Sequence, residues 1–222
     1  LNEFPILTIS YAQTLDGRMA TLDRISQWIS GDESLVYAHG LRARNDGIMV
    51  GIGTVLADNP RLTVRLVPGD DPQRIVVDSQ LRIPADAAVL AAGAASGTLI
   101  ATTSHAPAER RYELEALGAT ILEVPADAAG QVDLVALLPE LRRRGLRSIM
   151  VEGGPTLITA LFQARLAGRV AITVAPKLMG AGIAPIGDLG IRRLEALLQL
   201  ENVILRHYGP DLIVEADVRY PE

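Results

Sequence analysis

The sequence predicts an α/β protein: a mixed, mostly parallel sheet flanked by helices and ended by an antiparallel hairpin. Three observations carry that reading. Short apolar stretches alternate with helix-length amphipathic ones along nearly the whole chain, as strands joined by crossover helices do. Glu152-Gly153-Gly154-Pro155-Thr156 joins an apolar run at 148–151 to a helical segment at 157–166, which makes it a strand-to-helix turn. Residues 202–208 and 212–219, separated by Gly209-Pro210-Asp211, have the pattern of a hairpin.

The elements follow in order. Residues 6–12 read as a first strand. Ser30 with Glu33 fits a capping box, and Leu35, Ala38, Leu41 and Arg42 continue at helical spacing until Asp46-Gly47. Residues 48–50 form a short buried strand. Gly51, Gly53 and Thr54 then make a glycine-rich turn into a short segment closed by Asp58-Asn59-Pro60. Strands are expected at 74–77, 98–102, 120–124, 148–151 and 169–175, with helices at 107–117 and 132–143 between them. Residues 93–97 and 127–130 read as surface loops too short to link domains, so residues 1–222 are expected to form one domain.

Composition narrows the function. Hydrophobic residues make up 49% of the chain, enough for a sizeable core, and the net charge of −5 opposes general nucleic-acid binding. The 21 basic residues include a single lysine, Lys177; arginine's donor fork suits a small phosphorylated ligand. With no cysteine, thiolate catalysis, disulfides and sulfur-bound metals are excluded, and His39, His105 and His207 lack metal-ligand spacing. No apolar run reaches the roughly 20 residues of a membrane span, and no secretory signal pattern appears, so a cytoplasmic protein without a membrane partner is expected.

Polar residues cluster where strands end: Asp16, Thr54, Asp58, Asp78, Ser79 and Glu152. Ligands in open α/β sheets sit at those ends. A glycine turn opening a helix exposes backbone N–H groups that suit the phosphates of a nucleotide. Gly51-Ile52-Gly53 is not a dinucleotide fingerprint, because it follows a middle strand and its third position is Leu56. Thr54 suits a helix cap or a ligand hydroxyl equally. Arg42 and Arg65 can bind phosphate or pair with surface acids. Trp28 can stack on a ligand or plug a core edge. The carboxylates form no convincing hydrolase pair, and no serine occupies a nucleophile elbow; His39 falls inside the first helix. An organic cofactor fits better than covalent or metal catalysis.

Six runs together resemble a known family. They are Tyr11-Ala-Gln-Thr-Leu-Asp-Gly-Arg18, Ser26-Gln-Trp-Ile29, the segment 46–65, Arg74-Ile-Val-Val-Asp-Ser79, Glu152-Gly-Gly-Pro-Thr156 and Ala175-Pro-Lys-Leu-Met-Gly180. The chain resembles the pyrimidine reductases of riboflavin biosynthesis, including the reductase domain of the bifunctional bacterial deaminase–reductase. The resemblance implies a dihydrofolate-reductase-like fold, a homodimer, and NADPH as the reductant of a ribosylamino-pyrimidine 5′-phosphate. For the cofactor it implies contact from Ala12, Trp28, Thr54, Asp58 and Ser79, and from Gly154, Pro155, Thr156, Leu157, Ile158, Thr159 and Ala160. Ser26, Arg42, Leu62, Arg65 and Glu152 are implied on the substrate side, the two arginines at the phosphate. Glu152, beside the ribose, is the candidate proton-transfer group.

One departure bears on the substrate. The bifunctional bacterial enzymes typically carry a lysine two positions before Ala12, facing a deaminated base; here that residue is Ser10. This favours the 2,5-diamino-pyrimidinone taken by the stand-alone archaeal and fungal reductases, with the deaminated uracil as the alternative. The absence of a cysteine-based zinc motif from these residues agrees. A pteridine reductase and a non-catalytic nucleotide-binding domain are the more distant readings.

Overall fold

The computed structural model describes residues 3–91 and 93–221; Leu1, Asn2, Ala92 and Glu222, which the single-domain expectation also covers, lie outside the described residues. The described chain runs β1 (Ile6–Thr14), α1 (Asp32–Ala43), β2 (Gly47–Gly51), α2 (Ile52–Asp58), β3 (Gln73–Val77), β4 (Thr98–Thr102) and α3 (Ala108–Ala116). It continues with β5 (Thr120–Glu123), α4 (Leu134–Arg143), β6 (Ser148–Gly153), α5 (Pro155–Gln163), β7 (Arg169–Ala175), β8 (Gln199–Tyr208) and β9 (Asp211–Arg219). Among the described residues these strands form one nine-stranded sheet in the order β5-β4-β3-β2-β6-β1-β7-β9-β8. The pairs from β5 to β7 are parallel, whereas β9 runs antiparallel to both β7 and β8.

Strand alternation divides the core between two faces. Met49, Ile75, Ile149 and Val151 pack with Leu137, Leu141, Ile158 and Leu161, which seats α4 and α5 on one side. Ile48, Val50, Val76 and Ile100 pack with Val55 and Leu114 on the other, the side of α2 and α3. Met150, Ala171 and Ile213 meet Tyr37 and Leu41 of α1. Each of these buried aliphatic side chains contributes about 2 kcal/mol relative to exposure.

Several boundaries differ from expectation for local reasons. The Ser30–Glu33 capping box does not form: Gly31 is the N-cap of α1 and makes no side-chain cap bond. Asp211 at the start of β9 serves instead, its Oδ2 accepting from Gly31 N–H and Ser34 Oγ at 2.7 Å each. The glycine-rich turn at 51–54 is already helical, with Gly51 capping α2 and Thr54 lying inside it, so Thr54 is not an N-cap. Asn59 closes α2 at φ 42°, a left-handed conformation asparagine tolerates, and its Oδ1 accepts from Ala88 N–H. Asp133 caps α4 by accepting from Val135 and Ala136 N–H, which starts that helix two residues later than the apolar pattern does.

Candidate active site

Two cavities open on the sheet at the C-terminal ends of its parallel strands. The larger, about 800 Å³, is lined by Gly51, Thr54, Ser79, Gln131, Gly154 and Leu157, among others. The smaller, about 610 Å³, is lined by residues that include Ser10, Ala12, Trp28, His39, Arg42, Leu62, Arg65 and Glu152. Met19, Ser26, Thr54 and Asp58 border both. The two cavities therefore adjoin along these four side chains, and Ser26 Oγ donates to Asp58 Oδ1 at 2.9 Å within that border.

Backbone builds the larger groove. β6 ends in Gly153 at φ 105°, open to glycine but costly for an L side chain. Gly154 is the N-cap of α5, and Pro155 follows at its first position, so the capping residue brings no side-chain bond to the leading N–H groups of that helix. A Cβ on Gly154 would lie 3.1 Å from Thr54 Oγ1, while one on Gly53 would meet nothing within 4 Å. At Gly154 the groove wall is thus bare backbone, as close approach by a phosphate requires.

Side chains build the smaller pocket. Glu152, on β6, forms a two-point ion pair with Arg42 of α1: Arg42 Nε donates to Oε1 at 2.5 Å and Nη2 to Oε2 at 2.7 Å. Arg42 Nη1 donates to the Thr63 carbonyl at 3.0 Å, which ties both residues to the segment after α2. His39, one turn before Arg42, is buried at 4% exposure, and its Nδ1 accepts the Arg65 N–H at 2.9 Å. Burial first, then the charges of Arg42 and Arg65, depress the His39 pKa to about 4, so the ring is neutral near pH 7. Leu62, wholly buried, holds a left-handed φ of 54° in the same wall.

The substrate-side set, Ser26, Arg42, Leu62, Arg65 and Glu152, thus gathers around one cavity. Of the cofactor-side set, Thr54, Asp58, Ser79, Gly154, Pro155, Thr156, Leu157 and Ala160 line the larger groove, while Ala12 and Trp28 line the smaller pocket. Ile158 and Thr159 line neither: Ile158 is fully buried in the core, and Thr159 Oγ1 is engaged by Pro155 O and Gly187 N–H. Trp28 is 67% exposed, which rules out a core plug. Lys177 Nζ holds its loop by donating to the carbonyls of Ile29 at 2.6 Å and Trp28 at 3.3 Å.

Two strand-end acids turn out to be structural. Asp16 accepts from Thr14 Oγ1 and from the Met179 and Gly180 N–H groups, bonds that hold its pKa near 2. Asp78 is fully buried and accepts from Ile83 N–H. The loop expected at 127–130 is more than surface, for Asp127 and Gln131 wall the larger groove and Ser79 Oγ donates to Gln131 Oε1. Met19, Arg82, Gln131 and His39 also line these cavities and carried no recognisable signal, since each stands alone in sequence. Among the described residues no cluster could hold a metal ion, and no helix is long and apolar enough to cross a membrane.

The sheet order and the abutting cavities define a dihydrofolate-reductase-like α/β protein. Dihydrofolate reductase from Enterococcus faecalis shares the fold at TM-score 0.52 and 9% identity, over 98% of this chain and 97% of that one. The family defined by the RibD C-terminal domain matches residues 5–214, and the chain belongs to that family. It is 40% identical over 220 residues to the 2,5-diamino-6-ribosylamino-4(3H)-pyrimidinone 5′-phosphate reductase of Methanothermobacter thermautotrophicus, covering 97% of this chain and 99% of that one. A solved structure of Acinetobacter baumannii RibD matches at TM-score 0.84 and 25% identity, over 98% of this chain and 59% of that one. The chain likewise spans only 57% of the RibD protein of Aquifex aeolicus.

Proposed function

We propose that residues 1–222 act as one reductase domain that reduces the ribosyl group of 2,5-diamino-6-ribosylamino-4(3H)-pyrimidinone 5′-phosphate to the ribitylamino product, with NADPH as reductant. The observation that carries this reading is the meeting, at Met19, Ser26, Thr54 and Asp58, of a groove open to the glycine-capped start of α5 and a pocket lined by Arg42, Arg65 and Glu152. NADPH fits the groove: the uncapped start of α5 and the bare Gly154 suit its phosphates. When bound, it supplies hydride to C1′ of the sugar, and the nitrogen attached there takes up a proton.

The chain's own residues prepare that transfer. Glu152 offers carboxylate oxygens to the ribose hydroxyls, and its bidentate partner Arg42 fixes their direction. In this role Glu152 assists opening of the aminoribose ring, directly or through water. Arg65 brings positive charge to the terminal phosphate. Trp28, at the pocket's edge on a loop that Lys177 holds by its carbonyls, shields the reacting atoms from water. Ser10, buried in the pocket wall, brings no charge to the base, which supports the diamino substrate. The Methanothermobacter relative, matched over its whole length, bears the name of this activity.

A homodimer is the assembly we propose. β8 is an edge strand exposed along nearly its whole length and carries Leu200, Val203, Ile204 and Leu205 at 44–60% exposure, a surface a second copy would cover. The cytoplasm, where NADPH is maintained, is the proposed compartment. The test incubates protein and NADPH with the diamino and the deaminated ribosylamino-pyrimidine phosphates separately, following NADPH absorbance and product mass. Oxidation coupled to a two-hydrogen mass gain with the diamino compound is expected. Preference for the deaminated compound would reverse the substrate assignment, and oxidation with neither would reject the activity. Light scattering on the same sample should give twice the 23.7 kDa chain mass; a monomer would remove the dimer.

A further inference from the structure

The terminal phosphate would share its donors with bonds already made inside the pocket. Arg42 gives Nε and Nη2 to Glu152 and Nη1 to Thr63 O, so most of its fork is committed within the protein. Arg65 uses Nη1 on Thr63, which leaves its Nε and Nη2 for a ligand. Three phosphate oxygens can accept more bonds than the free N–H groups of Arg65 make, so a further donor has a place there.

His39 has one to give. A backbone N–H can only donate, so the bond from Arg65 N–H makes His39 Nδ1 an acceptor. In the neutral ring the proton must then sit on Nε2. Among the described residues the polar atom within hydrogen-bond reach of Nε2 is Arg42 Nη1 at 3.5 Å, itself a donor, so the two cannot bond to each other. The result, among the described residues, is an N–H without an acceptor on a residue only 4% exposed, in the wall of the substrate pocket. Such a group calls for an acceptor supplied from outside. The charges around it select an anion: Arg42 and Arg65 act on His39 against Glu152, already neutralised by Arg42, and Asp71, and Arg61 lines the same pocket.

We propose that His39 Nε2–H binds a terminal phosphate oxygen of the substrate beside Arg65, making His39 a third phosphate-binding residue with the two arginines. This rests on the phosphate reading of the pocket. It also explains why a histidine kept neutral by burial is useful there: it donates without adding a further charge beside two arginines.

Ribose 5-phosphate is the probe, titrated into the protein and into four variants by calorimetry, with NADPH affinity as the check on folding. His39→Gln keeps a donor at the reach of Nε2 and is expected to bind within about threefold of the parent, while His39→Asn keeps an acceptor for Arg65 N–H but loses that reach and is expected to bind about tenfold more weakly. His39→Leu should weaken binding at least as much. The imidazole ¹⁵N spectrum should show protonated Nε2, and that signal should shift when ribose 5-phosphate is added. Parent-like binding by His39→Asn, an equal loss in the Gln and Asn variants, or an unmoved Nε2 signal would each overturn the proposal. Arg65→Met separates the two readings: if it binds ribose 5-phosphate normally the phosphate assignment itself fails, whereas if it loses binding and His39→Asn does not, only the histidine's role fails.

Discussion

The larger groove offers main-chain donors at the start of α5 between polar walls such as Ser79, Asp127 and Gln131, while the smaller pocket is built on side-chain pairs that join distant elements. In the groove, Gly153 and Gly154 clear the approach to α5, and the helix start supplies donors to which its capping residue makes no side-chain bond. In the pocket, Arg42 of α1 meets Glu152 of β6, and His39 of α1 meets Arg65 of the segment after α2. The difference teaches where each half is vulnerable. Backbone donors survive most substitutions and fail when a Cβ intrudes, whereas an ion pair fails when either partner is neutralised.

The largest expected effect breaks the pocket alone. Glu152→Gln should lower turnover by about 100-fold or more while NADPH affinity changes little, because the lost group orients or protonates the sugar and lies outside the groove. The variant also strands the Arg42 guanidinium at 13% exposure, so a stability loss of about 3 kcal/mol is expected beside the kinetic one. Urea unfolding and steady-state kinetics on the same preparation separate the two. Near-normal turnover would remove Glu152 from the chemistry, and a parallel collapse of NADPH binding would erase the distinction between the cavities.

The mirror-image change breaks the groove alone. Gly154→Ala sets a methyl 3.1 Å from Thr54 Oγ1 at the residue that caps α5. The Kd for NADPH, read by fluorescence titration, should rise about tenfold, equivalent to about 1.4 kcal/mol, while ribose 5-phosphate binding stays at the parent value. Loss of both affinities would mean that the border at Thr54 couples the cavities more tightly than their separate construction implies.

The same contrast explains what could be read from the sequence. Local pattern was enough for the strands: 98–102 and 169–175 match β4 and β7 to the residue, because short apolar runs bounded by turns encode them. The groove was legible for the same reason, since Glu152-Gly153-Gly154-Pro155 is contiguous. The pocket's members could be named from the family resemblance, but their pairing could not. Arg42 and Glu152 stand 110 residues apart, and Asp211, which caps α1, stands 180 residues from Gly31. Neither link leaves a local signature, so the capping box at Ser30 and Glu33 was the nearer and wrong choice. His39 looked like an ordinary helical residue because its role depends on which backbone N–H reaches Nδ1.

The smallest expected effect sharpens the comparison through pH. His39 titrates near 4 in the fold against an ordinary 6.5, so between those values the unfolded chain binds a proton that the folded chain refuses. Stability is therefore undiminished above pH 6.5, falls as pH drops through the window, and carries a constant penalty below about 4. Asp16 acts in the next window down: its carboxylate, held near 2 against an ordinary 3.8, contributes stability that is lost as pH falls from 3.8 to 2. The carboxylates of Asp46, Glu140, Asp188 and Asp217 are also held low by their partners, so that lower step is shared. Thermal melts from pH 7 to 4 should show a Tm decline of a few degrees that His39→Gln flattens and Gly154→Ala leaves intact. An unchanged decline in His39→Gln would assign the acid sensitivity elsewhere, and a decline flattened by Gly154→Ala would tie the backbone-built groove to the same proton.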